Sequence, residues 1–226
     1  KTGKPEILDE DEPERVATAI AYLDLRHAVI TSVNRDELPD GGAKIFARTI
    51  EAVHRQCPNT TIEVLIPDFK GDWTALGTVM AAAPDILNHN IESPPRLYYK
   101  MRPQAQYERS LELLDRARKL SPAPTKSGMM LGAGETEEEI ATSIRDLADV
   151  GCSILTLGQY LSPSAQHVQV ERFVHPDEFI QWREFAIELG FRHVESGPLV
   201  RSSYHAAEQV DQAVAADPLL SIETAP

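Results

Sequence analysis

Apolar positions recur along this chain in two alternating rhythms. Spacings of three and four residues mark helices, and short continuous aliphatic runs mark strands. The first helix opens at Glu12-Pro13, where a proline near the first helical position loses no hydrogen bond, and it carries Val16, Ile20 and Leu23. A strand is expected at residues 28–33, then a helix with Phe46, Ile50 and Val53 on one face. Residues 61–66 read as a strand, 73–82 as a helix and 85–91 as a strand. In the second half Tyr107, Leu111 and Leu114 mark a helix, and residues 127–131 a strand. Thr136 and Glu139 have the spacing of a capping box at the head of a helix carrying Ile140, Ile144 and Leu147. Residues 154–157 read as a strand. Pro176 opens a helix through Phe179 and Phe185 that ends at Gly190, and residues 193–200 form a candidate sixth strand.

Strands alternating with helices of roughly 10–15 residues predict βα units around a parallel sheet. The strands are nearly unbroken apolar runs, as expected where both faces are covered. The chain starts with a helix, so a strand is expected ahead of it. The segment beyond residue 207 is polar, and 208–226 reads as a tail outside the domain.

Composition narrows the functional classes. The 226 residues suit one large α/β domain. No run approaches the roughly 18 apolar residues of a membrane span, and no signal-peptide pattern opens the chain. A net charge of −13 argues against nucleic-acid binding. One stretch runs the other way. Residues 96–126 hold eight basic side chains (Arg96, Lys100, Arg102, Arg109, Arg116, Arg118, Lys119, Lys126) against three acids. It reads either as a solvated face with mixed pairs or as a docking face for an acidic partner. The two cysteines, Cys57 and Cys152, have no short spacing, which excludes a disulfide framework and a zinc motif. Both read as reduced, partly buried thiols.

In a (β/α) barrel the chemistry gathers at the C-terminal ends of the strands. Those ends hold Thr31, Ser32, Asn34, Arg35 and Asp36, then Pro67 and Asp68. Further along they hold Asn88, His89, Asn90 and Glu92, the turn Gly132-Ala133-Gly134-Glu135, Gln159 and Tyr160, and Arg201-Ser202-Ser203-Tyr204-His205. Each has a structural alternative. Asn88-His89-Asn90 could be a self-satisfied buried network, and the glycine pair could be only a tight turn. No zinc-hydrolase histidine spacing, nucleophile elbow or Walker-type phosphate loop is present. From the residues alone the reading ends at a parallel α/β domain with a polar rim.

Longer strings carry the reading further. They are Thr31-Ser32-Val33-Asn34-Arg35-Asp36-Glu37-Leu38-Pro39-Asp40-Gly41-Gly42-Ala43, Glu63-Val64-Leu65-Ile66-Pro67-Asp68-Phe69, Asn88-His89-Asn90-Ile91-Glu92 and Arg96-Leu97-Tyr98. To these add Thr125-Lys126-Ser127-Gly128-Met129-Met130-Leu131-Gly132, Gly158-Gln159-Tyr160-Leu161 and Ser196-Gly197-Pro198-Leu199-Val200-Arg201-Ser202-Ser203-Tyr204-His205-Ala206. In this order and spacing, over residues 1–207, the chain resembles the lipoyl synthases.

The resemblance implies an α/β fold, a partial (β/α)6 TIM-type barrel of the radical SAM type, over residues 1–207. It implies two [4Fe–4S] clusters and S-adenosylmethionine. One cluster, held by a Cys-x3-Cys-x2-Cys motif, cleaves S-adenosylmethionine to a radical that removes hydrogen from C6 and C8 of a lysine-bound octanoyl chain. The other cluster, held by three cysteines and a serine, is the sulfur donor. Such chemistry on unactivated C–H bonds belongs to cofactors, and the protein binds and orients. Carried over by strand position, Thr31, Ser32, Asn90, Glu92 and Glu135 are expected to bind S-adenosylmethionine. Ser203, with Ser202 as its alternative, is the expected serine ligand of the donor cluster, and Arg201 is placed with the catalytic groups. The implied partners are octanoylated lipoyl carrier domains (the E2 subunits of 2-oxoacid dehydrogenases and the glycine-cleavage H protein), which the basic stretch would dock. A reductant such as ferredoxin or flavodoxin is also implied, but no nucleic acid and no membrane. The expected compartment is the cytoplasm, or alternatively a mitochondrial or plastid matrix.

The chain departs from the family in its cysteines. In the family the three radical-SAM cysteines stand just before the Lys-Thr-Gly-Lys-Pro string that opens this chain, and the donor-cluster cysteines stand further upstream. The expectation is therefore a chain truncated at its N-terminus, lacking the first barrel strand and inactive by itself. Three other readings compete. These are another radical-SAM enzyme, a cluster-free paralogue or fragment that only binds a carrier domain, and a phosphate-binding aldolase-type barrel.

Overall fold

The computed structural model describes residues 7–204 and 206. Six parallel strands lie side by side in chain order: β1 (His27–Thr31), β2 (Thr61–Leu65), β3 (Ile86–Asn88), β4 (Thr125–Leu131), β5 (Ile154–Gln159) and β6 (His193–Gly197). α1 (Glu12–Tyr22) precedes β1. α2 (Ala43–Gln56), α3 (Trp73–Ala81), α4 (Tyr98–Met101) with α5 (Tyr107–Leu120), α6 (Glu137–Asp149) and α7 (Pro176–Glu188) fill the successive crossovers. A parallel sheet in strict chain order with a helix in every crossover is the wall of a (β/α) barrel. Among the described residues the wall is open, with β1 and β6 at its edges. The sixth segment is a true strand, so the described residues hold six strands.

Local chemistry explains several element ends. Gly42 takes φ 88° at the head of α2, a conformation open to glycine. Asp72 caps α3 by accepting from the Thr74 and Ala75 amides at 2.9 and 3.2 Å. The expected capping box exists: Thr136 Oγ1 accepts from Glu139 N at 3.2 Å, and Glu139 Oε2 accepts from Thr136 N at 2.9 Å. α1 stops one residue short of the expectation, leaving Leu23 as an exposed cap. The expected strand 85–91 shrinks to Ile86–Asn88, because the chain leaves the regular ladder after Asn88.

The two faces of the sheet differ sharply. Ile62, Val64, Leu87, Met129, Leu131, Leu155, Leu157 and Val194 alternate outward and pack beneath Phe46, Ile50, Val53, Leu76, Leu113, Ile140, Ile144 and Phe179 of the helices. The inward positions are polar: Glu63, Asn88, Lys126, Thr156 and His193 are all buried. Ile86 and Ile154 form a small apolar contact on that side. No helix among the described residues is long and apolar enough to cross a membrane. His205 and the expected tail at 208–226 lie outside the described residues.

Candidate active site

The C-terminal ends of the strands form a polar rim, and its centre is built by an irregularity in β3. The pairing passes from Asn88↔Lys126 to Glu92↔Met129, so four steps on one side match three on the other. His89 N donates to Lys126 O (3.0 Å), Glu92 N to Gly128 O (2.9 Å) and Met130 N to Glu92 O (2.9 Å). One extra residue therefore bulges between them. The stranded Ile91 amide donates to Ser127 Oγ at 3.3 Å. Glu92 sits at φ 65°, a left-handed conformation that a side-chain-bearing residue keeps only when its surroundings hold it.

The bulge sends neighbouring side chains in opposite directions. His89 points outward, with Nδ1 2.9 Å from Ile66 O and Nε2 2.9 Å from Ser110 Oγ. Asn90 and Glu92 join each other on the rim, Asn90 Nδ2 donating to Glu92 Oε1 at 3.1 Å. Asn90 Oδ1 is buried without a hydrogen-bond partner among the described residues, as is Ser93 Oγ. Burial pushes the Glu92 carboxyl up, opposed by the Arg102 charge and the Asn90 hydrogen bond. Arg102 is anchored against the strand end, donating to Asn90 O (2.8 Å) and Ile91 O (3.3 Å) and lying 5.5 Å from the Tyr98 ring centre. Gly128 keeps space in front of this pair: a Cβ there would strike Thr156 Oγ1 and stand 3.0 Å from Asn90 Oδ1. A carboxyl group, an open amide oxygen and an anchored guanidinium in a half-buried recess suit a ligand rich in hydroxyl and amino groups.

The other expected residues are distributed around the same rim. Glu135 is buried and accepts from the amides of Gly132 (2.5 Å) and Ala133 (2.9 Å), so its carboxylate organises the β4 turn. Gln159 ties the segment 160–175 onto that turn. Its Nε2 donates to Tyr160 O (3.0 Å) and Arg172 O (3.1 Å), and its Oε1 accepts from Val174 N (2.8 Å). Gly132 O in turn accepts from Glu171 N at 2.9 Å, and a Cβ on Gly132 would run into Arg172 O and Gln159 Nε2. Arg201 is half-buried over the end of β5, donating to Val200 O at 2.6 Å above the bare backbone of Gly158. Ser202 is half-buried and Ser203 exposed in the turn that follows. Thr31 and Ser32 are exposed at the end of β1, two strands away from Asn90. A groove of about 800 Å³ opens beside the bulge, lined by Asn34, Asp36, Asp68, Lys70, Arg102 and Arg109 among others.

Much of the basic stretch is paired or buried in the structure. Lys126 is fully buried inside the sheet. Arg96 pairs with Glu139 at 2.6 Å, Arg109 with Asp68 at 2.6 Å, Arg116 with Glu112 at 2.7 Å and Lys119 with Asp115 at 2.5 Å. These four of the eight basic side chains thus form mixed pairs with acids. Arg102 is the residue that sequence reasoning undervalued. Its role depends on carbonyl groups freed by the bulge, and nothing in the local sequence announces a bulge.

The cysteines do not fit an iron–sulfur cluster. Cys57 and Cys152 precede β2 and β5, at the opposite end of the sheet from the rim, and both are buried. Burial pushes the Cys152 thiol up to about 12, whereas a cluster needs thiolates. Among the described residues no group of three or more His, Cys, Asp or Glu side chains could hold a metal ion.

Comparison with known proteins gives the rim its context. The model of the radical SAM superfamily matches residues 1–147. The lipoyl synthase of Roseiflexus sp. (strain RS-1) is 62% identical over 205 residues, covering 90% of this chain and 68% of that protein. The lipoyl synthase of Rubrobacter xylanophilus is 58% identical over 213 residues, covering 94% of this chain and 66% of that protein. The chain thus spans about two thirds of the length of these relatives. Among solved structures, methylornithine synthase superposes with a TM-score of 0.58 at 12% identity, covering 88% of this chain and 66% of that one. HydG, a maturase of the [FeFe]-hydrogenase, superposes with a TM-score of 0.61 at 11% identity, covering 94% and 57%. These likenesses support the barrel fold, and the sequence relatives, with a parallel sheet whose polar rim stands at its C-terminal edge, carry the family: the chain belongs to the lipoyl synthases of the radical SAM superfamily.

Proposed function

We propose that this chain provides the S-adenosylmethionine-binding rim of a lipoyl synthase acting on a lysine-bound octanoyl chain, with sulfur inserted at C6 and C8. The observation that carries the reading is the bulge after β3, which presents Asn90 and Glu92 together beside an anchored Arg102. Asn90 Oδ1, buried and open, accepts from a ribose hydroxyl or from the α-ammonium, and Glu92 accepts from the other polar groups of the same ligand. Glu135 shapes the adjoining turn, and Thr31 and Ser32 close the far side of the rim. Bound there, S-adenosylmethionine supplies the radical chemistry that unactivated C–H bonds require. Arg201 stands over β5 toward the same space. Ser203, or Ser202 beside it, is the oxygen ligand for the sulfur-donating cluster, whose thiolates Cys57 and Cys152 do not supply. The partners are octanoylated carrier domains and a low-potential reductant, in the cytoplasm.

Equilibrium dialysis of labelled S-adenosylmethionine against the holoenzyme and its Asn90→Ala and Glu92→Gln variants tests the site. Each substitution is expected to weaken binding about tenfold or more, while the wild type converts an octanoyl-lysine peptide to the lipoyl product. Unchanged affinity in both variants removes the pair from the site. Carrier binding without any lipoyl product would favour a carrier-binding module instead.

A further inference from the structure

The interior of a (β/α) barrel is ordinarily filled by layers of branched aliphatic side chains. Here the layer directly below the rim is ionic. Lys126 and Glu63 are each 0% exposed. Lys126 Nζ lies 3.0 Å from each carboxylate oxygen of Glu63, and Asn88 Nδ2 donates to Glu63 Oε1 at 2.7 Å. His27 Nε2 approaches Glu63 to 3.8 Å, and the His193–Glu195 pair (2.9 Å) stands on β6 of the same inner face. Burial pushes the Glu63 carboxyl up, but His27 and Lys126 overcome this and hold it below its usual range; burial also pulls the Lys126 ammonium down against Glu63. A buried ion pair is seldom better for stability than well-packed apolar side chains, and its best-attested use is to fix a register.

Register is what this place needs. β3 pairs with β4 at only two positions, Leu87↔Thr125 and Asn88↔Lys126. Asn88 and Lys126 are thus the last regular rung before the bulge, and Glu63 clasps both from β2. A slip of one residue in a strand turns its side chains to the other face. Here it would exchange the outward His89 for the rim residue Asn90. We propose that Glu63, Lys126 and Asn88 are positioning residues that lock β3 between β2 and β4, so that the extra residue falls at 89–91 and Asn90 and Glu92 meet S-adenosylmethionine. The inference rests on the rim reading given above and assigns its control to three side chains that never touch the ligand.

The test compares the holoenzyme with Lys126→Met, with the double variant Glu63→Leu/Lys126→Met, and with Asn90→Ala. It records the thermal midpoint and the affinity for S-adenosylmethionine by equilibrium dialysis. Lys126→Met leaves the buried Glu63 carboxylate without its ammonium partner and is expected to lower Tm sharply. The double variant removes both charges and is expected to regain most of that Tm. Its affinity is nevertheless expected to remain about tenfold or more below wild type. A pair that merely supports the fold predicts the opposite, with affinity returning together with Tm. A folded double variant that binds within about twofold of wild type, while Asn90→Ala binds weakly, overturns the positioning role alone. Normal binding by Asn90→Ala overturns the rim reading and this inference with it.

Discussion

His89 and Asn90 are adjacent in the chain and belong to different environments. His89 is enclosed between Ile66 O and Ser110 Oγ on the helix side. With Nδ1–H donating to the carbonyl, Nε2 accepts from the serine, so the ring is a satisfied neutral base. Burial depresses its proton affinity from the usual 6.5 to about 4. The unfolded chain then binds a proton more readily than the folded one between those values. The stability this ring contributes is complete above pH 6.5 and is lost as the pH falls toward 4, by about 3 kcal/mol at most. Urea midpoints measured across that interval should fall steeply in the wild type and less steeply in His89→Gln; parallel curves would acquit His89. Residue identity alone left Asn88-His89-Asn90 open between a buried network and a site. The string divides between environments, His89 in a buried network on the helix side and Asn90 at the rim, because the chain alternates faces and then gains a residue. Lys126 was misread for a related reason: a basic run records charge, not the partner 63 residues away in sequence that neutralises it.

At the scale of elements, the ends set by local chemistry were the legible ones. The box at Thr136 and Glu139 formed as spaced, and it also engages the rim, since Arg96 bridges Glu139 to Gly134 O at 2.7 Å. Thr136→Ala is expected to cost about 1 kcal/mol, seen as a lower urea midpoint with an unchanged m-value. A loss much below that would mean that tertiary packing alone sets the start of α6. β3 was legible in kind and wrong in length. The segment expected as a strand continues to Ile91, yet the ladder ends at Asn88, and sequence pattern cannot tell a paired residue from a bulged one. The single-turn α4 escaped altogether, being too short to show a period.

For the whole molecule, the parallel sheet was legible because strands alternate with helices, while the barrel order of its strands followed from the family resemblance. The polar interior was not, since inward and outward positions of a strand look alike until its neighbours are known. Buried and flanked on both sides, β4 and β5 pair at six positions, while β1 and β6 are edges. Hydrogen–deuterium exchange should therefore be slowest in β4 and β5 and faster in β1; equal protection of β1 would show its edge to be covered in solution. The turn after β4 carries a consequence of another kind. Gly132 and the Gln159 amide occupy adjoining space, and the amide holds the chain from Tyr160 to Val174 in place. A Cβ at 132 would meet Arg172 O as well as the Gln159 amide, at a φ of 105°, so in descent glycine at 132 is held by a main-chain atom that no substitution at 159 removes.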